Sequence, residues 1–180
     1  MKLLVPILAA LLLFVGCEKE QEPSASSQTA RTQKPRPPAP KRYLLTADHN
    51  QTRSIVITPH SATIEGSEKD VVLLLFFSSD CPACKAELEE LRELYKKYGD
   101  RIDIIALQLG GEPVEAPFFV SRDMRKNYEI AKKVYPLLRA PASMPIPLLV
   151  VLKDNEYVIH YVGAAPLEML KIDIEKALGE

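Results

Sequence analysis

The sequence predicts an α/β fold: a central mixed β-sheet flanked by helices, behind an N-terminal extension. Three observations carry that prediction. Val71–Phe77, VVLLLFF, is an unbroken apolar run of strand length, the pattern of a strand buried on both faces. An amphipathic helical pattern follows it and leads into a second apolar strand, so a helix connects the middle strands. Near the C-terminus two strand-like runs flank KDNE, a hairpin turn.

The elements follow in order from about Tyr43. Ser54–Thr58, SIVIT, is a short β-branched strand. After Val71–Phe77 a helix opens at Pro82, which suits a first turn because no intrahelical N–H bond is lost there. Leu88, Leu91, Tyr95 and Tyr98 recur at helical spacing on one face. Glu87, Glu89, Glu90, Arg92, Lys96 and Lys97 are assigned to the solvated face, and Gly99 to the C-cap. Ile102–Leu107 is the next strand and Gly110–Pro117 a loop. Ser121 is expected to N-cap a second helix, with Asp123 in its first turn and Tyr128, Ala131, Val134 and Tyr135 on its buried side. Pro136 ends or kinks that helix. Leu148–Leu152 and Tyr157–Val162 are the hairpin strands. Pro166 opens a last helix with Leu167, Leu170, Ile174 and Leu178 facing inward.

The rest of the chain is organised differently. The 180 residues carry 23 Lys+Arg against 24 Asp+Glu, so no overall charge favours a nucleic-acid partner. The first residues, MKLLVPILAALLLFVGC, place Lys2 before the apolar run Leu3–Val15. That run is short for a membrane span and of signal-peptide length. Phe14-Val15-Gly16-Cys17 resembles a bacterial lipobox, with Phe14 standing where Leu is usual. The resemblance implies a signal peptide over residues 1–16 and lipid on Cys17, a membrane anchor. Residues 18–42 contain no large apolar side chain and cannot offset the entropy of ordering. Residues 17–42 are therefore read as a tether and 43–180 as the globular domain. As a coil the tether reaches about 25–30 Å.

The chemistry sits in SSDCPACKAELEEL, residues 78–91. Cys81 and Cys84 are two of three cysteines and lie at a helix start. The first-turn N–H groups and the positive end of the helix dipole stabilise a thiolate at Cys81. Cys84 lies one turn further in, placed to attack a mixed disulfide on Cys81 and release reduced substrate. Zinc in a structural site needs about four N or S ligands. His49, His60 and His160 are scattered, so no metal and no cofactor beyond the two thiols is expected. A disulfide closing so short a loop would constrain the unfolded chain little, which disfavours a purely structural bridge.

Residues 43–180 resemble a thioredoxin-fold thiol–disulfide oxidoreductase, most like the exported, membrane-tethered TlpA-like group. FFSSDCPACK matches the family's strand, active site and helix start. MPIPLLVVLKDNEYVIHYVGA matches its second signature, a cis-proline opening a strand, then a hairpin and a glycine. The resemblance implies that Pro147, preceded by Ile146, is the cis-proline beside the active site, with Pro145 as the alternative candidate, and that the backbone there pairs with substrate. Two departures stand out. Asp80 replaces the family's usual Trp before the first cysteine. Leu75 occupies the position where many thioredoxins carry a buried acid, and Glu112 or Glu115 is considered as its replacement.

The residues around the pair bear on the direction of electron flow. Pro82 and Ala83 supply no charge between the cysteines, and Pro82 removes an N–H. Asp80 opposes a thiolate at Cys81, with Lys85 acting in the other sense. The sum favours a reducing couple. The expected function is reduction of oxidised cysteines of exported proteins at the cell envelope, with apocytochrome c as the example the resemblance suggests. The expected domain location is the extracytoplasmic side, and a membrane thiol relay would supply electrons. The alternative is a non-catalytic module of the same fold whose cysteines deliver copper.

Overall fold

The computed structural model describes residues 38–180. The apolar run Leu3–Val15, Cys17 and the tether up to residue 37 lie outside the described residues. Eight strands, three α-helices and one short 3-10 helix (Asp48–Asn50) are present among the described residues. The central strand β4 (Val71–Ser78) pairs in parallel with β5 (Ile102–Gly110) and antiparallel with β7 (Leu148–Lys153). Outside them lie β6 (Phe119–Ser121), parallel to β5, and β8 (Glu156–Val162), antiparallel to β7. The sheet order is thus β6-β5-β4-β7-β8. A mixed sheet flanked by helices is the expected class.

Alternation along β4 explains its unbroken apolar run, because successive side chains point to opposite faces. Val71, Leu73, Leu75 and Phe77 face helices α1 (Pro82–Tyr98) and α3 (Leu167–Leu178) in one core. Val72, Leu74 and Phe76 face a second core containing α2 (Met124–Leu137). That second face is also covered by a separate sheet, β1 (Lys41–Thr46), β2 (Thr52–Ile57) and β3 (Ala62–Glu65), paired antiparallel in that order. Tyr43, Leu45, Ile55, Ile57 and Ile64 are its buried contribution.

Several sequence expectations need correction. Of the covering sheet only β2 was expected, because β1 and β3 each present too few buried side chains to read as periodic. Lys41 and Arg42, assigned to the tether, open β1; Arg42 pairs with Glu65, and Lys41 lies 3.5 Å from Glu129. Ser121 does not cap α2. It ends the unforeseen strand β6, and the Asp123 carboxylate caps the helix by accepting from Lys126 N at 3.1 Å. Tyr128 is exposed, while Asn127 and Ile130 join Ala131, Val134 and Tyr135 on the buried side. Pro136 lies within the last turn of α2 rather than ending it, where a missing N–H costs only one bond. Leu167 and Leu178 are half-buried, and Leu170, Ile174 and Ala177 are the residues of α3 that reach the core.

One turn depends on positive φ and another on a close approach. Asp154 and Asn155 both have positive φ, 51° and 63°, the conformation of a two-residue hairpin between β7 and β8. Asn155 then accepts a hydrogen bond from Ile64 N at 2.6 Å, tying the hairpin to β3. Gly99 ends α1, and a Cβ there would lie 2.5 Å from the Tyr95 carbonyl oxygen.

A buried polar knot joins β5, β6 and α2. Asn127 Nδ2 donates to the carbonyls of Gln108 (2.9 Å) and Ser121 (2.8 Å), and Ser121 Oγ donates to Asn127 Oδ1 (2.9 Å). Asn127→Ala would strand these buried acceptors. Each costs about 1–3 kcal/mol, so a loss of about 2–4 kcal/mol in urea denaturation is expected.

Candidate active site

The site forms at the C-terminal ends of β4 and β5, where α/β sheets present their loops. β4 runs into Ser78, and Cys81 N donates to Ser78 O at 3.2 Å, turning the chain into α1. Cys81 is the N-cap of that helix. Its Sγ accepts from Cys84 N at 3.3 Å, so one otherwise unpaired first-turn N–H points at the sulfur. Cys81 is half-buried and Cys84 fully buried, and both are free thiols. Burial, reinforced by the hydrogen bond with Cys81, pushes the Cys84 thiol up to about 12. Asp80, Pro82 and Ala83 are exposed around the accessible sulfur.

The second wall is the segment before β7. The Ile146–Pro147 peptide bond is cis, with Pro147 buried and Ile146 half-buried. Three successive carbonyls are held by three elements. Pro145 O accepts from the Tyr135 hydroxyl of α2 at 2.8 Å. Ile146 O lies 3.8 Å from Cys81 Sγ. Pro147 O accepts from Gly163 N, just past β8, at 2.8 Å. Prolines carry no backbone N–H, so Ile146 supplies the sole donor of residues 145–147. It has no backbone acceptor among the described residues.

The third wall is the turn after β5. Ser79 Oγ donates to Glu112 O at 2.8 Å and Ser79 N to Gly110 O at 3.2 Å. From within, buried Gln108 donates through Nε2 to the carbonyls of Gly110, Gly111 and Glu112. Gly111 has φ +78°, and a Cβ there would lie 2.0 Å from Ser79 Oγ and 3.0 Å from Asp80 N. Glycine is required for this turn to approach the residues before Cys81.

Beneath the cysteines lies Glu87, assigned to the solvated face by sequence but fully buried. It sits one turn past Cys84 on the inner stripe of α1. Oε2 accepts from Ala165 N at 2.7 Å, and Oε1 has no hydrogen-bond partner among the described residues. Burial pushes its carboxyl up to about 7, the Ala165 N–H pulling against it. Leu75 is buried among apolar neighbours, and the Glu112 and Glu115 side chains face solvent. Neither glutamate replaces the missing strand acid; Glu87 is a buried carboxyl one helical turn from Cys84. The signal was available: Glu87 is three residues from Cys84 and four from Leu91, so it lies on the apolar stripe. Gln108 and Tyr135 were not singled out as site residues either. Their roles depend on contacts with the turn after β5 and with Pro145, which spacing does not reveal. No group of three or more His, Cys, Asp or Glu side chains suited to a metal exists among the described residues.

Glu87 makes stability depend on pH. Its folded pKa lies above its ordinary 4.5, so the folded state holds the proton longer. Stability is therefore complete at acid pH and falls as pH rises from about 5 through 7. A rise to about 7 corresponds to roughly 3 kcal/mol at about 1.4 kcal/mol per pH unit. Glu87→Gln keeps an acceptor for Ala165 N and removes the charge. Denaturation at pH 8 should show it more stable than wild type, with the difference gone near pH 4.5.

Comparison with known proteins bears on this geometry. The family model described as thioredoxin-like matches residues 68–158, from just before β4 into β8. A thioredoxin of Bacillus subtilis (strain 168) is 33% identical over 121 residues, 67% of this chain and 94% of that protein. Among solved structures, a putative thiol:disulfide interchange protein DsbE from Chlorobium tepidum superposes with a TM-score of 0.53 at 19% identity. It covers 81% of this chain and 99% of its own. StoA from Bacillus subtilis gives 0.52 at 19% identity, over 77% of this chain and 100% of its own. These two share the fold, and the family match and the B. subtilis relative share the sequence. The chain belongs to the thioredoxin-like family, as a thiol–disulfide oxidoreductase.

Proposed function

We propose that this chain is a cell-envelope protein-disulfide reductase that works through the CPAC dithiol. The observation that carries the reading is the asymmetry of the pair: Cys81 is reachable at the helix N-terminus, while Cys84 is buried one helical turn from the buried carboxyl of Glu87. The Cys81 thiolate attacks one sulfur of a substrate disulfide. A Cys81–substrate disulfide forms and one substrate thiolate leaves. Glu87, ionised above about pH 7, accepts the Cys84 proton. Cys84 then attacks Cys81 Sγ, an internal disulfide forms, and the second substrate thiolate leaves and takes up a proton. Two electrons have passed to the substrate. A membrane dithiol relay restores the pair by the reverse exchange.

The Ile146 N–H and C=O suit a short backbone pairing with a peptide, and the cis Ile146–Pro147 bond lies beside Cys81. The reducing direction rests on the exposed Asp80 next to Cys81 and on two spacer residues without charge. Export and anchoring rest on the signal-like run and the lipobox-like Phe14–Cys17, with the tether holding the domain outside the membrane. Substrates are oxidised cysteines of exported proteins, apocytochrome c among them.

Cys84→Ser removes the resolving thiol. Expressed in the native host, it should accumulate mixed disulfides on Cys81, visible as reductant-sensitive adducts on non-reducing gels. The wild-type couple is expected at about −200 to −270 mV against a glutathione or dithiothreitol series; a value near −120 mV, that of strong oxidants, would reverse the direction. A stoichiometric Cu(I) complex that is lost in Cys81→Ser and Cys84→Ser, with no insulin reduction by wild type, would instead favour copper delivery.

Lipid labelling should mark the wild-type protein and not Cys17→Ser. Equal labelling of both would sink the anchor.

A further inference from the structure

Tyr135 ties α2 to the segment before β7. It is fully buried on α2, and its ring packs edge-on against Phe76 of β4, with centroids 5.6 Å apart and planes at 66°. Its polar atoms grip both ends of the segment that leads from α2 to the cis-proline. At the near end, its carbonyl accepts from Leu138 N at 3.2 Å and Ala140 N at 3.1 Å. At the far end, its hydroxyl donates to Pro145 O at 2.8 Å. Between those grips the chain takes positive φ at Arg139 (55°) and Met144 (50°), so propensity alone does not hold its path. Met144 N to Pro141 O, 3.0 Å, is its own internal backbone bond.

We propose that Tyr135 is a positioning residue for substrate: its hydroxyl fixes Pro145 so that the Ile146 backbone faces a peptide lying against Cys81. This rests on the reductase reading above. Two of the three carbonyls at residues 145–147 are pinned by groups outside the cysteine pair, the Tyr135 hydroxyl and Gly163 N. Gly163 holds the sheet side of Ile146, and Tyr135 holds the side toward α2. Without the hydroxyl, Pro145 O loses its partner and the segment is fixed at one end only. The prolines on either side leave Ile146 as the one donor available, so its orientation decides whether a peptide can pair. The hydroxyl thereby acts on binding of a peptide, and not on the sulfur chemistry.

Tyr135→Phe tests this, since it deletes one oxygen and keeps the ring against Phe76. Two substrates separate the roles: a peptide containing an intermolecular disulfide, and 2-hydroxyethyl disulfide, which has no peptide backbone. The expected result is a KM for the peptide raised about five-fold, the size of one lost hydrogen bond. Its kcat should stay within about two-fold, and the rate with 2-hydroxyethyl disulfide should be unchanged. An unchanged peptide KM overturns the proposal. An equal loss on both substrates overturns it too, placing the effect on the cysteines or on the whole fold. Should the variant unfold, Ser143→Gly in the wild-type chain loosens the same segment with Tyr135 intact and must raise the peptide KM alone. Wild-type protein that reduces only the small disulfide removes the peptide-reductase reading, and the positioning role with it.

Discussion

A strand of eight residues with seven fully buried can leave water only if both faces of its sheet are covered, and β4 is such a strand. α1 and α3 cover one face; α2 and the three-stranded sheet cover the other. At about 25 cal/mol per Å2 of apolar surface, this two-sided burial is the main stabilising contribution of the domain. It also fixes the chemistry. β4 is central, pairing with β5 through Ser78 and with β7 as far as Phe76, so the sheet holds its C-terminal end in place. Cys81 follows three residues later, at the start of a helix whose apolar stripe packs on the sheet.

Rigidity of that point matters because the site's three walls come from distant parts of the chain. The turn after β5 and the segment before β7 are fixed through main-chain carbonyls held by Ser79, Gln108, Tyr135 and Gly163 N, and Ile146 O meets the helix start at Cys81. The side chains doing the holding are buried or half-buried, so solvent competes little for those bonds. The same burial raises the Cys84 thiol and the Glu87 carboxyl together. Each disfavours its charged form, and a proton passed from one to the other leaves the count of buried charges unchanged. Proton transfer between them is thus less opposed by desolvation than ionisation of Cys84 alone.

The sequence was informative wherever one residue type answers to one local requirement. β4, the three helices and the β7–β8 hairpin follow from apolar spacing and from the Asp154-Asn155 turn. The placement of Cys81 and Cys84 at a helix start follows from Pro82 and the spacing behind it. Legibility failed where meaning depends on a partner far away in the chain. β1 and β3 bury few side chains each and become strands through their pairing with β2. Ser121 looked like a cap because caps are local, yet a strand bond to β5 and the Asn127 side chain claim it. Glu87 was hidden for a different reason: a glutamate among lysines and glutamates reads as surface unless its register on the helix is followed.

The Pro-Ile-Pro sequence at the site has a consequence for solubility. Exposed backbone that can pair with a peptide is also an invitation to strand-by-strand self-association. Here the invitation is one residue long. Prolines at 145 and 147 offer no N–H on either side of Ile146, so an incoming strand finds one donor and then none. One donor suits pairing with an extended peptide at a single point, and at this segment it offers no template for sheet growth.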